Sequence, residues 1–155
     1  LGRSVRRDSD GKVCAYVAPH LVAEDSPLAN VEDVFNAIQV TGDSIGEVMF
    51  YGRGAGKLPT ASAVGADVMD IVRMKGKKVI SWAEGGADTV YSVEEIANQW
   101  YVRVAGDFAV EGTRRLRNGD AKDGENAFIT SEALTPAQVR ELTRGMDVKA
   151  MYRVL

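Results

Sequence analysis

The stretch Phe50-Tyr-Gly-Arg-Gly-Ala-Gly-Lys-Leu-Pro-Thr-Ala-Ser-Ala-Val-Gly-Ala-Asp-Val-Met-Asp-Ile71 constrains this chain more than any other. Gly52, Gly54 and Gly56 alternate with Arg53 and Ala55. Pro59 and Thr60 then open a helical pattern in which Val64, Val68, Ile71 and Val72 recur on one face. Proline suits the first helical position, where its missing N–H has no partner to lose. The spacing leaves two readings open. A glycine loop feeding a helix start bares backbone N–H groups and the positive end of a helix dipole, which suits a phosphate or another anionic or polar group. Alternatively, the glycines only let a strand turn sharply into a helix. The pattern G-x-G-x-G is neither the Rossmann fingerprint nor a P-loop.

Bulk properties narrow the field. With 155 residues, 45% of them apolar, the chain has material for one ordinary domain or two small ones. A net charge of −3 provides no broad attraction to nucleic acid or to an anionic membrane. Cys14 is the sole cysteine, so an internal disulfide and a zinc cluster are excluded; in its apolar strand pattern it reads as buried and inert. No apolar run approaches the roughly 20 residues of a membrane helix. Residues 1–12 are polar and basic without the apolar core of a signal peptide. A cytoplasmic protein with no nucleic-acid or membrane partner is expected. The chain does not begin with Met, which reads as a segment excised from a longer polypeptide.

In chain order, Ser4-Val-Arg-Arg and Lys12-Val-Cys-Ala-Tyr-Val flank Asp8-Ser-Asp-Gly and predict a β-hairpin, with Asp and Gly as turn residues. Arg6 and Arg7 read as solvated hairpin charges. Pro19 ends the second strand or marks an edge. His20, the only histidine, has no identifiable orienting partner and reads as structural or surface. Ser26-Pro27 predicts a capped short helix over 27–33. Val34–Thr41 and Glu47–Tyr51 predict strands joined by a turn at Gly42-Asp-Ser. The helix from Pro59 is expected to end near Lys75-Gly76, where Lys75 suits the helix dipole and Gly76 the cap. Asp67 and Asp70 on its polar side lack further metal ligands nearby and read as a solvated face. Residues 76–98 are linker-like, with one short turn opened by Ser92-Val-Glu-Glu.

The last part reads β, loop, β, α, β. Gln99–Ala105 alternates as a strand, and 107–124 reads as a flexible, solvated polar loop containing Arg114-Arg-Leu-Arg. Residues 126–130 form a second strand. Thr135-Pro-Ala-Gln138 carries an N-cap, a first-position proline and the capping-box glutamine. Val139, Leu142 and Met146 form the apolar stripe of that helix, and Val148–Leu155 supplies a last strand. The order resembles a shortened ACT-type regulatory module, whose usual order is βαββαβ. The expected fold class is therefore α+β: an antiparallel sheet with helices, followed by a small β-β-α-β ACT-like (ferredoxin-like) domain. The expected division is 1–76, a linker at 77–98, and 99–155.

Several blocks carry a family resemblance. Val17-Ala-Pro-His-Leu-Val, Asp25-Ser-Pro-Leu-Ala, Val34-Phe-Asn-Ala-Ile, Gly42-Asp-Ser-Ile-Gly-Glu-Val-Met, Phe50-Tyr-Gly-Arg-Gly-Ala-Gly, Leu58-Pro-Thr-Ala-Ser-Ala-Val and Ala66-Asp-Val run in order over residues 13 to 73. Together they resemble the C-terminal portion of homoserine dehydrogenases, which interconvert L-aspartate 4-semialdehyde and L-homoserine with NADH or NADPH. The resemblance implies that 1–76 is the end of the substrate-binding and dimerisation domain. It places the Rossmann unit, the catalytic lysine and the acidic homoserine ligands upstream of Leu1. Lys12, Lys57, Lys75, Lys77, Lys78, Lys122 and Lys149 do not match that catalytic position, so no catalytic residue is assigned. Residue for residue, the family's cofactor contact carries over to Gly54, Ala55 and Gly56, with Thr60 at the helix start beside them. The cofactor would be NADP or NAD, the partners a second copy and the upstream segments, and the effector an amino acid such as threonine. No metal ligands are assigned.

Overall fold

The computed structural model describes residues 1–74, 85–116 and 124–155. It divides the chain into two compact units, Leu1–Ala23 with Glu84–Leu155, and Glu24–Ala83. The chain is α+β throughout the described residues. Among these residues, no helix is long and apolar enough to cross a membrane.

The first unit is built on strand alternation. Trp100, Val102 and Val104 recur at every second position of Gln99–Ala105, so they share one face of the sheet. Numbered in chain order, the strands are β1 (Gly2–Arg6), β2 (Val13–Val17), β3 (His20–Leu21), β4 (Phe35–Gly42), β5 (Gly46–Arg53), β6 (Gln99–Ala105), β7 (Thr113–Leu116), β8 (Glu125–Thr130) and β9 (Val148–Val154). The two α-helices are α1 (Lys57–Met74) and α2 (Pro136–Leu142). The sheet order is β3-β9-β6-β8-β7, antiparallel except for the parallel β3–β9 pair. Taken alone, β6 to β9 lie fourth-first-third-second, the strand order of a split βαβ fold, although no helix is assigned between β6 and β7.

Helix α2 closes the inner face of this sheet. Thr135 accepts from the Gln138 N–H, and Gln138 accepts from the Thr135 N–H, so the expected capping box is formed. Val139 then meets Trp100, Val102, Val104 and Phe128 in the core, with Leu142 and Met146 packed around them. The Trp100 indole donates to the Leu134 carbonyl at 2.8 Å, satisfying its one polar atom. Cys14 is buried, as its apolar strand setting implies.

One strand of this unit departs from the sequence reading. Arg114-Arg-Leu, expected in a solvated loop, lies in β7, paired with β8 from Thr113↔Thr130 to Leu116↔Ala127. Charged side chains are compatible with pairing at a sheet edge, where one side faces water, so polarity concealed the strand. Arg117 and residues 118–123 lie outside the described residues, as do the helix end at Lys75-Gly76 and the linker residues 77–84. Arg7, expected to be a solvated hairpin charge, keeps 33% of its side chain exposed and is also ion-paired. It pairs with Asp10 at 2.8 Å and Glu95 at 2.9 Å, and its guanidinium lies 4.3 Å from the Tyr91 ring centroid. The capping box at Ser92–Glu95 is formed as expected and holds Glu95 in this network. The β1–β2 hairpin thus packs with residues far along the chain, reinforced by Arg3 donating to Asn98 and by the Val13↔Val90 bridge.

The second unit holds the β4–β5 hairpin and α1. Its short first helix is a 3-10 turn over Pro27–Asn30, capped by the Ser26 hydroxyl accepting from the Leu28 N–H. This is shorter than the expected 27–33. β4 and β5 pair from Phe35↔Arg53 to Gly42↔Gly46, closing on the turn expected at Gly42-Asp-Ser.

His20 carries the pH dependence expected of the first unit. Its Nδ1 lies 2.9 Å from the Ala18 carbonyl and its Nε2 3.4 Å from the Tyr16 hydroxyl. Burial pushes its pKa below the ordinary 6.5; the Ala18 carbonyl opposes this, while nearby Arg3 and Arg153 add to it. The neutral ring is therefore the form the fold prefers. Its contribution to stability is complete above pH 6.5 and is lost as pH falls through the lower folded value. Urea unfolding measured across pH 7.5 to 5 should show stability falling on the acid side, and His20→Gln should flatten that fall.

Candidate functional site

The β4–β5 register makes the site. Successive side chains of a strand alternate between faces, and residues opposite each other across an antiparallel pair share a face. Asn36 is opposite Gly52, whereas Phe35 is opposite Arg53 and Ala37 opposite Tyr51. One face at the open end of the hairpin is therefore closed by side chains: the Phe35 and Tyr51 rings stack at 5.0 Å, and Arg53 lies 5.1 Å from the Phe35 centroid. The other face presents bare backbone at Gly52, with Asn36 as its neighbouring side chain.

The glycine segment is part strand and part turn. Gly52 belongs to β5, and the N–H groups of Gly54 and Ala55 both donate to the Val34 carbonyl, at 3.2 and 3.4 Å. Gly56 has φ +108°, a conformation that favours glycine. It turns the chain so abruptly that α1 begins at Lys57, two residues before the expected start. Pro59 is thus the third helical residue, still within the first turn, where an N–H lacks an intrahelical acceptor. Thr60 does not cap the helix; its N–H makes the helical bond to the Gly56 carbonyl at 3.2 Å. The N–H groups of Gly56, Lys57 and Leu58 have no acceptor among the described residues, and residues 51–58 are exposed.

This geometry fits a group that must approach the backbone closely. A Cβ added at Gly52 would meet nothing within 4 Å, so the surface there is open. A Cβ at Gly54 would instead collide with the Asn36 side chain, coming 2.9 Å from its Cγ. The amide of Asn36 therefore occupies the space that a side chain at 54 would take. Sequence reasoning quoted Asn36 only within a family block and missed its place beside the glycines; the hairpin register set by the Gly42–Gly46 turn was the available signal. Gly54, Ala55, Gly56 and Thr60 lie together along one continuous turn into α1.

The apolar stripe of α1 is not buried within the described residues. Val64 is 57% and Ile71 69% exposed, and on the hairpin Phe50 is 66% exposed. A continuous apolar surface is uncommon on the outside of a folded chain. Asp67 and Asp70 are exposed on the same helix, consistent with a solvated polar side.

Comparison with known proteins gives this geometry its setting. Residues 2–69 match the family model described as homoserine dehydrogenase. The homoserine dehydrogenase of Neisseria gonorrhoeae is 42% identical over 96 residues, covering 57% of this chain and 22% of that protein. That of Synechocystis is 62% identical over 56 residues, covering 36% of this chain and 13% of that protein. Among solved structures, the S. aureus homoserine dehydrogenase at pH 7.5 superposes with a TM-score of 0.69 at 28% identity, covering 99% of this chain and 40% of that one. The fold is α+β, and its likeness to these proteins is to a portion of each. The chain is thus similar over residues 2–69 to a portion of homoserine dehydrogenases, and it spans about a fifth of the Neisseria relative's length.

Two glycines should behave differently when substituted. Gly56→Ala forces a side chain into a left-handed conformation and should cost about 1–2 kcal/mol. Gly54→Ala should cost less, because Asn36 can change rotamer, at about 0.5–1.5 kcal/mol. Urea unfolding of Gly54→Ala with and without Asn36→Ala tests this. The cost should disappear in the double variant; a cost that survives would place the limit in the backbone instead.

Proposed function

We propose that this chain is the C-terminal portion of a homoserine dehydrogenase, and that its glycine segment backs the nicotinamide end of NADP or NAD in the intact enzyme. The observation that carries the reading is the exposed, side-chain-free backbone at Gly52–Gly56 within the segment matched by the family model. The intact protein would interconvert L-aspartate 4-semialdehyde and L-homoserine in the biosynthesis of threonine and methionine. The bound cofactor would supply or accept the hydride at the substrate carbon. Gly54, Ala55 and Gly56 would hold it through close backbone approach, with Thr60 in the first turn of α1. The Val34 carbonyl fixes this backbone by taking both the Gly54 and Ala55 N–H groups. The proton donor for the substrate oxygen and the Rossmann unit would come from upstream segments.

The apolar stripe of α1 supports a role in bracing that upstream unit, and the exposed face of the hairpin supports a homodimer. The cytoplasm is the compartment that suits such a biosynthetic enzyme. The expected outcome in assay is a clean separation. A parent chain containing this segment should reduce NADP or NAD in the presence of homoserine, followed at 340 nm. The 155 residues alone should give no turnover. Turnover by the purified 155-residue chain would refute the division of labour, and an inactive parent would refute the assignment.

A second reading is a regulatory and dimerisation module answering to an amino acid such as threonine. The fourth-first-third-second order of β6 to β9, with α2 covering one face, supports an ACT-like domain in the C-terminal part. The proposed organisation is then a catalytic portion over 1–76, a linker over 77–98 and a regulatory portion over 99–155, with β1 and β2 packed beside the regulatory sheet and β3 added at its edge. Titration calorimetry of this chain with threonine should show saturable heat if the effector binds here. Absence of heat at millimolar threonine would remove this reading.

A further inference from the structure

We propose that Asn36 is a cofactor-recognising residue of this site, its side-chain amide reading the carboxamide of a bound nicotinamide. The inference rests on the proposed role of the glycine segment. Three observations converge on Asn36. It shares its face with Gly52, where no side chain stands, and its amide fills the space beside Gly54. It is exposed, and its amide has no hydrogen-bond partner among the described residues. It projects from a strand whose register is continuous over eight residue pairs, so its position is held by the ladder rather than by a mobile loop.

The chemistry selects the ligand group. An asparagine amide offers an N–H donor and a carbonyl acceptor side by side. A carboxamide offers the same pair and can satisfy both at once. A phosphate offers acceptors only and would set its negative charge against the asparagine oxygen. The stacked Phe35, Tyr51 and Arg53 close the opposite face, so the polar reader and the bare backbone lie on the same side. Removing this side chain breaks no bond within the described residues, so Asn36→Ala should leave the fold intact.

The test measures dissociation constants by calorimetry on the intact dehydrogenase that contains this segment. The probes are the oxidised nicotinamide dinucleotide it uses and the 3-acetylpyridine analogue, in which a methyl replaces the carboxamide NH2. Asn36→Ala should weaken the natural cofactor about tenfold, the loss of two modest hydrogen bonds, and the analogue about threefold, the loss of one. An equal loss for both probes, or no loss, overturns the proposal. Gly56→Ala separates this from the underlying reading. If it weakens both probes while Asn36→Ala weakens neither, the glycine segment still backs the cofactor and only the role of Asn36 falls. If neither variant changes binding, the glycine segment is not the cofactor surface and both fall.

Discussion

The first unit depends on β6. Trp100, Val102 and Val104 project from one face of this strand, while β8 and β9 pair with its two edges. Val102 and Val104 are fully buried, and Val139 of α2 reaches the same core. Burial of this apolar area is the main favourable term available to so small a sheet. Every other strand of the sheet takes its register from β6 directly or through one neighbour. β3 forms one edge of the sheet, running parallel to β9 and held partly by the Leu155 N–H donating to the Leu21 carbonyl at 2.9 Å.

The second unit obeys a different constraint. Its hairpin places little under cover; what it fixes is which atoms stand on each face. The turn at Gly42–Gly46 determines the register, and the register sets Gly52 against Asn36. Glycine at 52 and 54 removes side chains from one face, and the left-handed Gly56 carries the strand straight into α1. Three constraints act in sequence: ladder pairing, absence of Cβ atoms, and one backbone conformation that other residues adopt only under strain. The outcome is an exposed polar backbone surface beside one amide side chain. The two original readings of the glycines are therefore not exclusive. They do make a sharp turn from strand to helix, and the same turn leaves the N–H groups of Gly56, Lys57 and Leu58 without acceptors among the described residues.

Electrostatics links segments distant in sequence. Arg7 reaches across the first unit to Glu95, itself held by a capping box, and covers the Tyr91 ring. Asp10 and Glu95 are both drawn below the usual carboxylate range, each chiefly by its hydrogen bond to Arg7. These groups are solvent-exposed, so the network orients the hairpin more than it stabilises it. Arg153 plays a related part within the sheet, lying over both the Trp100 and Tyr16 rings. Its guanidinium joins the hairpin to the end of β9 through aromatic faces rather than through a carboxylate.

Local chemistry made much of this legible in advance. The capping boxes at Ser92 and Thr135, the hairpin turn at Asp8–Gly11, the strand at 99–105 and the buried Cys14 all follow from interactions within a few residues of one another. The family blocks over 13–73 could likewise be read directly, because they consist of residue identities. What the chain alone did not disclose depends on distant pairing. β7 was concealed because basic residues at an edge strand have the composition of a loop, and only β8 makes them a strand. Two of the partners of Arg7, Tyr91 and Glu95, lie more than eighty residues away. The start of α1 shifted because one positive φ at Gly56 outweighed the preference of Pro59 for the first helical position. Sequence determined which residues could expose backbone and which could bury side chains; tertiary register determined which of them face each other, because hydrogen-bond ladders join segments whose spacing along the chain carries no trace of their pairing.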